Sequence, residues 1–172
     1  MVKLNLDGFS DRQLQQVHIG RANFLTDDQI SVYAKIYFNS AQMKQIRKGL
    51  EHDLADVQLA VYTNPVYNDR QMRQIGMGFY QKLTMEQVLI YAKPEFDHRQ
   101  MKEIRQALVE GINPDYVKQF SRPEFNYNQF DVIFHGLGCG FSAEEISSYA
   151  KPENSESTMY AMLIDMVNNK LG

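Results

Sequence analysis

YAKPEFDHRQMKEIRQALVEGINPDYVKQ, the stretch from Tyr91 to Gln119, is one copy of a pattern that fills the chain. Shifted by 29 residues in either direction it meets itself again, with openings at Leu4, Tyr33, Tyr62, Tyr91, Phe120 and Tyr149 and no insertion or deletion between them. A fixed period of this length marks a repeat architecture, in which each unit is one supersecondary element unable to bury its apolar face alone.

The chemistry inside the unit is that of helix ends. Ser10, Asn39, Asn68, Asp97, Asn126 and Ser155 recur at one place, and all have short side-chain oxygens suited to capping a helix. Three residues on stand Gln13, Gln42, Gln71, Gln100 and Gln129, with Thr158 in the last copy. That spacing makes the glutamine the return half of a capping box rather than a binding code. The residue before the cap (Phe9, Phe38, Tyr67, Phe96, Phe125) and the one four after it (Leu14, Met43, Met72, Met101, Phe130) form a hydrophobic staple. Apolar residues then recur at helical spacing, as in Met43, Ile46 and Leu50, so the methionines read as core. Gly20, Gly49, Gly78, Ala107 and Gly136 share one place on that side, which predicts a close crossing.

A shorter helix follows, capped by Thr26, Thr84, Asn113 and Ser142, with Ala55 breaking the series. Pro65, Pro94, Pro123 and Pro152 stop it. Helices of about 13 and about 8–10 residues are too short to stand alone in water. They become stable by stacking, which predicts an all-α, right-handed α-solenoid in a single helical-repeat domain over residues 1–172. Eleven helices are expected, long and short alternating five times before a final long one. The end copies are degenerate, as capping units are, and Met162, Leu163, Met166 and Val167 of the last helix offer a surface for homo-oligomer formation.

The function classes narrow by elimination. The 44% apolar content and net charge of −3 are those of an ordinary globular chain. The polar start MVKLNLDGF is no signal peptide, no apolar run spans a membrane, and the single Cys139 fits a reducing compartment, so the expected location is cytoplasmic. His18, His52, His98 and His135 fall at different places in the repeat and form no ligand-spaced cluster, so neither metal, cofactor nor catalytic site is expected. His135 and Cys139 are a helical pair beside glycines, which reads as a tight helix end.

Two surfaces depart from the repeat. On the short helices, Val57, Ala60, Val61, Met85, Leu89 and Ile90 stand at places that are usually polar in the other copies, as at Asp27, Asp28, Ser31, Glu144, Ser147 and Ser148. They mark either a protein-partner surface or a middle region packed more deeply. On the long helices, Arg12, Arg70 and Arg99 share one place, Lys44, Arg73 and Lys102 a second, and Arg47 and Arg105 a third, all on one face. Such a ridge could meet phosphates, which makes nucleic acid the alternative partner. Net negative charge and interleaved acids such as Asp69 and Glu103 favour a solvated face instead.

The unit YAKPEFDHRQMKEIRQAL, with its variant YTNPVYNDRQMRQIGMGF, resembles a short helix-pair repeat of Gram-positive bacteria and their mobile elements, with units like YAxPxFxxxQMxxIRxGL. That family has no established activity. The resemblance implies the helical-repeat fold, and its mobile-element setting implies a third possibility, an inhibitor or modulator of a host system. The expectation from the whole reading is a non-catalytic protein-binding scaffold or adaptor.

Overall fold

The structure is a computed structural model that describes residues 4–171. Among the described residues the chain forms eleven α-helices and no strand. Five long helices are α1 (Asp11–Ala22), α3 (Ser40–Glu51), α5 (Asp69–Tyr80), α7 (His98–Val109) and α9 (Tyr127–Gly138). Five short ones alternate with them: α2 (Asp27–Tyr33), α4 (Asp56–Tyr62), α6 (Met85–Tyr91), α8 (Pro114–Phe120) and α10 (Ala143–Tyr149). The last, α11 (Glu156–Leu171), is long, so the expected order holds.

Each boundary has a local cause. Ser10, Asn39, Asn68, Asp97 and Asn126 close capping boxes with the glutamines three residues on. Thr26 with Gln29 and Ser142 with Glu145 do the same for α2 and α10. Ala55 has no side chain to cap α4, and only the return half survives there, Ala55 N–H donating to Gln58 Oε1 at 3.0 Å. The long helices end in a left-handed residue at Phe24, Asp53, Lys82, Gly111 and Gly140. The next N–H then reaches back to the helix, as Leu54 N–H does to the Gly49 carbonyl at 3.1 Å, which is a Schellman closure. The short helices stop sooner than expected because the small residue after the aromatic leaves helical geometry. Ala34 has φ −75° and ψ 67°, and Lys35 N–H turns back to the Tyr33 carbonyl at 2.8 Å. Ser121 and Ala150 repeat this tight turn.

The residues cluster as two compact units, Met1–Met85 and Glu86–Gly172, although the repeat runs through that boundary unbroken in sequence. In the first, α3 packs on both α1 and α5, with α2 and α4 against the long helices. In the second, α9 packs on both α7 and α11, with α8 and α10 against it. Fully buried side chains are the recurring ones: Tyr33, Tyr62, Tyr91 and Tyr149, the staple residues Phe38, Phe96 and Phe125, and Met43, Met72 and Met101.

Candidate binding surfaces

The recurring glutamine does more than cap. Gln42 Oε1 accepts from its own cap, Asn39 N–H, at 3.0 Å, while its Nε2 donates to the Tyr67 carbonyl at 2.7 Å, in the turn of the next repeat. Gln13 reaches the Phe38 carbonyl at 2.8 Å, Gln100 that of Phe125 at 2.6 Å, and Gln129 that of Asn154 at 2.7 Å. These amides are buried, so each is a connector between repeats and closed to a ligand.

The recurring glycine is explained by the recurring tyrosine. A Cβ built on Gly20, Gly49 or Gly136 would overlap the hydroxyl of Tyr33, Tyr62 or Tyr149 respectively. Tyr33 donates to the Gln16 carbonyl at 3.1 Å and Tyr149 to that of Val132 at 3.4 Å. Burial pushes the Tyr33 hydroxyl up to about 12, against the opposing charge of Arg47. Burial likewise raises Tyr91, with Arg105 opposing, and raises Tyr149. The Tyr62 hydroxyl is the exception: it is buried without a hydrogen-bond partner, and burial, with the neighbouring Tyr80 hydroxyl, raises its pKa.

The cations expected to form a ridge divide into two sets. Arg12, Lys44, Arg70, Arg73, Arg99 and Lys102 are exposed. Arg47 and Arg105 are buried, Arg47 to 6% exposure. Arg47 pairs with Glu51 and donates from Nε to Gln16 Oε1 at 3.4 Å. Lys102 is paired with Glu103 at 2.9 Å, and the Arg99 guanidinium lies 5.1 Å from the centre of the Tyr127 ring. The third row of the ridge is thus internal structure.

The apolar set also divides. Val57 is 68% exposed and Leu89 48%, while Ala60 is exposed and Val61 and Met85 are half-buried. Ile90 is buried and belongs to the packing. On α11, Met162 is exposed and Met166 and Val167 half-buried, while Leu163 is buried. His135 Nε2 and Cys139 Sγ stand 3.8 Å apart at the exposed end of α9. No group of three potential metal ligands occurs among the described residues, and none of their helices is long and apolar enough to cross a membrane. Comparison with protein-family models, with curated proteins and with solved structures finds no match for the chain.

Proposed function

We propose that the chain is a non-catalytic protein-binding scaffold, its repeats forming a right-handed α-solenoid, and that exposed apolar residues of the short helices contact the partner. One observation carries the reading. Val57 stands where the other short helices have Asp28, Glu86, Asp115 and Glu144, and it is the most exposed aliphatic side chain among them. Ala60 is open one turn further along α4, so an apolar pair stands where the other copies have an acidic residue followed by Ser31, Leu89, Lys118 or Ser147. Apolar side chains left in water at such positions are a mark of contact surfaces. Leu89 of α6 is open in the same way. Resemblance to repeats carried by bacterial mobile elements adds a host protein as the natural kind of partner.

The test is affinity capture from host lysate with and without nuclease, using Val57→Asp and Leu89→Asp as controls. Both side chains are exposed, so both variants are expected to keep their helical content. A protein that survives nuclease and is lost with either variant supports the reading. Recovery of nucleic acid, or of partners that depend on it, points to the exposed cations of α5 and α7.

A further inference from the structure

The second and fourth long helices each bury an arginine, Arg47 and Arg105. At the same place in α5 the chain has Gly76, and where Glu51 would follow it has Tyr80. The arginine that would lie near Tyr62, as Arg47 lies near Tyr33, is therefore absent. Two consequences are visible. The Tyr62 hydroxyl, on a side chain 1% exposed, has no hydrogen-bond partner. A cavity of about 240 Å³ opens between α3 and α5, with Tyr62 and Gly76 in its lining.

The rest of that lining has one sign. Lys48 and Arg73 stand on opposite sides, on α3 and α5, and Gln45 supplies an amide. His52 and Tyr80 stack with ring centres 4.3 Å apart and form an aromatic wall. No carboxylate lines the space. Burial raises the Tyr80 pKa, so that lining hydroxyl keeps a proton to donate. Lysine ammonium, arginine guanidinium, amide and phenol together offer donors, and charge-assisted bonds to an anion are the strong ones.

The equivalent groove in the other unit makes the contrast. A cavity of about 300 Å³ lies between α7 and α9, and there Glu103, Glu110 and Asp131 replace Gln45, His52 and Arg73. Phe134 stands in the place of Gly76. With Lys102 and His135 also in its lining that groove is still net acidic, whereas the first unit's carries cations and no carboxylate.

We infer that the cavity between α3 and α5 is a binding pocket for a small oxyanion, a carboxylate or phosphate group, clamped by Lys48 and Arg73 beside the wall of His52 and Tyr80. It stands independently of the protein-binding reading. An anion that binds only the folded chain stabilises it by mass action, so occupancy should raise stability. A Cβ on Gly76 would meet nothing nearer than the Tyr80 hydroxyl at 3.5 Å, so the site also accepts a side chain.

The experiment titrates the isotope-labelled full chain with inorganic phosphate and, separately, with acetate, following backbone amides by NMR at constant ionic strength. Saturable shifts at Gly49, Gly76 and Tyr80 are expected, with the stronger of the two probes naming the oxyanion. Lys48→Gln, at an exposed position, should weaken binding about tenfold, the loss of one charge-assisted contact. Gly76→Arg should abolish it by refilling the space as Arg47 does one repeat earlier. Absence of saturation by both probes overturns the inference. So do the same shifts with sodium chloride, or binding undiminished in either variant.

Discussion

Gly20 and Tyr33 share one volume: a methyl on Gly20 would occupy the place of the Tyr33 hydroxyl, which there donates to the Gln16 carbonyl at 3.1 Å. The tyrosine reaches back from the end of α2 onto the face of α1, and the absent side chain is what admits its oxygen. The same relation recurs at Gly49 with Tyr62 and Gly136 with Tyr149. Where the long helix instead carries Ala107, the aromatic at the same spacing is Phe120, which has no hydroxyl. Methyl and hydroxyl are alternatives for one space.

Gly20→Ala therefore should destabilise the chain, even though alanine gains about 1 kcal/mol over glycine in a helix. Overpacking costs roughly 1–3 kcal/mol, and displacing the tyrosine also breaks a buried hydrogen bond worth about 1. Adding Tyr33→Phe should recover most of the loss, because the remaining contacts of the new methyl, with the Tyr33 ring at 3.3 Å and Leu25 at 3.5 Å, are tolerable. Urea unfolding of both single variants and the double closes the cycle. Additive losses would show that the two residues do not compete for space.

Gln42 should tolerate loss of its cap function better than loss of its connector function. Gln42→Glu keeps an acceptor for the Asn39 N–H but turns a carboxylate toward the Tyr67 carbonyl, where the amide now donates at 2.7 Å. A buried donor removed in this way costs about 1–3 kcal/mol. The deficit should shrink at acid pH, where a protonated glutamate can donate to the same carbonyl. Chemical denaturation at neutral and acid pH measures it, and a deficit independent of pH would refute the connector role.

Cap, staple and helix order were legible because their chemistry lies within a few residues. A serine or asparagine three places before a glutamine needs no tertiary contact to be interpreted. The second bond of Gln42 was not legible, since its acceptor is 25 residues away in another repeat. Arg47 and Arg105 read as surface charges because sequence position shows a helix face but not what covers it; Glu51 and Gln16 make burial of Arg47 possible. Leu89 and Ile90 are neighbours in sequence, yet a step of about 100° around α6 exposes the first and buries the second. Gly76 carried a readable signal, a glycine where two sister repeats have arginine, but the cavity it opens required the structure.

The helix ends hold recoverable stability. Phe24 has φ 64° and Lys82 φ 66°, a region that costs an L-residue roughly 1–2 kcal/mol, and the Phe24 side chain is 93% exposed with little packing to offset it. The equivalent residues Gly111 and Gly140 show what the geometry prefers. Phe24→Gly and Lys82→Gly should each stabilise by about 1 kcal/mol, raising Tm by about 2–4 °C for a chain of this size. Asp53→Gly should gain less, because aspartate tolerates this region better. Calorimetry of the three variants ranks them, and a fall in Tm with Phe24→Gly would mean that the exposed ring contributes more than the backbone loses.

Alkaline titration should unfold the chain through its buried phenols. An unfolded tyrosine ionises near 10, whereas Tyr33 is pushed up to about 12 by burial, and burial raises Tyr62, Tyr91 and Tyr149 as well. The folded chain thus holds protons that the unfolded chain releases. The contribution to stability is fully present below about pH 10 and falls as pH rises from there through the folded values. Tyrosinate absorbance followed together with helical circular dichroism should show these groups ionising only as helicity collapses. In Tyr33→Phe one such group is gone, so stability should fall less steeply with pH above 10. Ionisation of all the tyrosines near pH 10 with helicity intact would show that the recurring hydroxyls are open to solvent, and that the glycines opposite them do not seal them in.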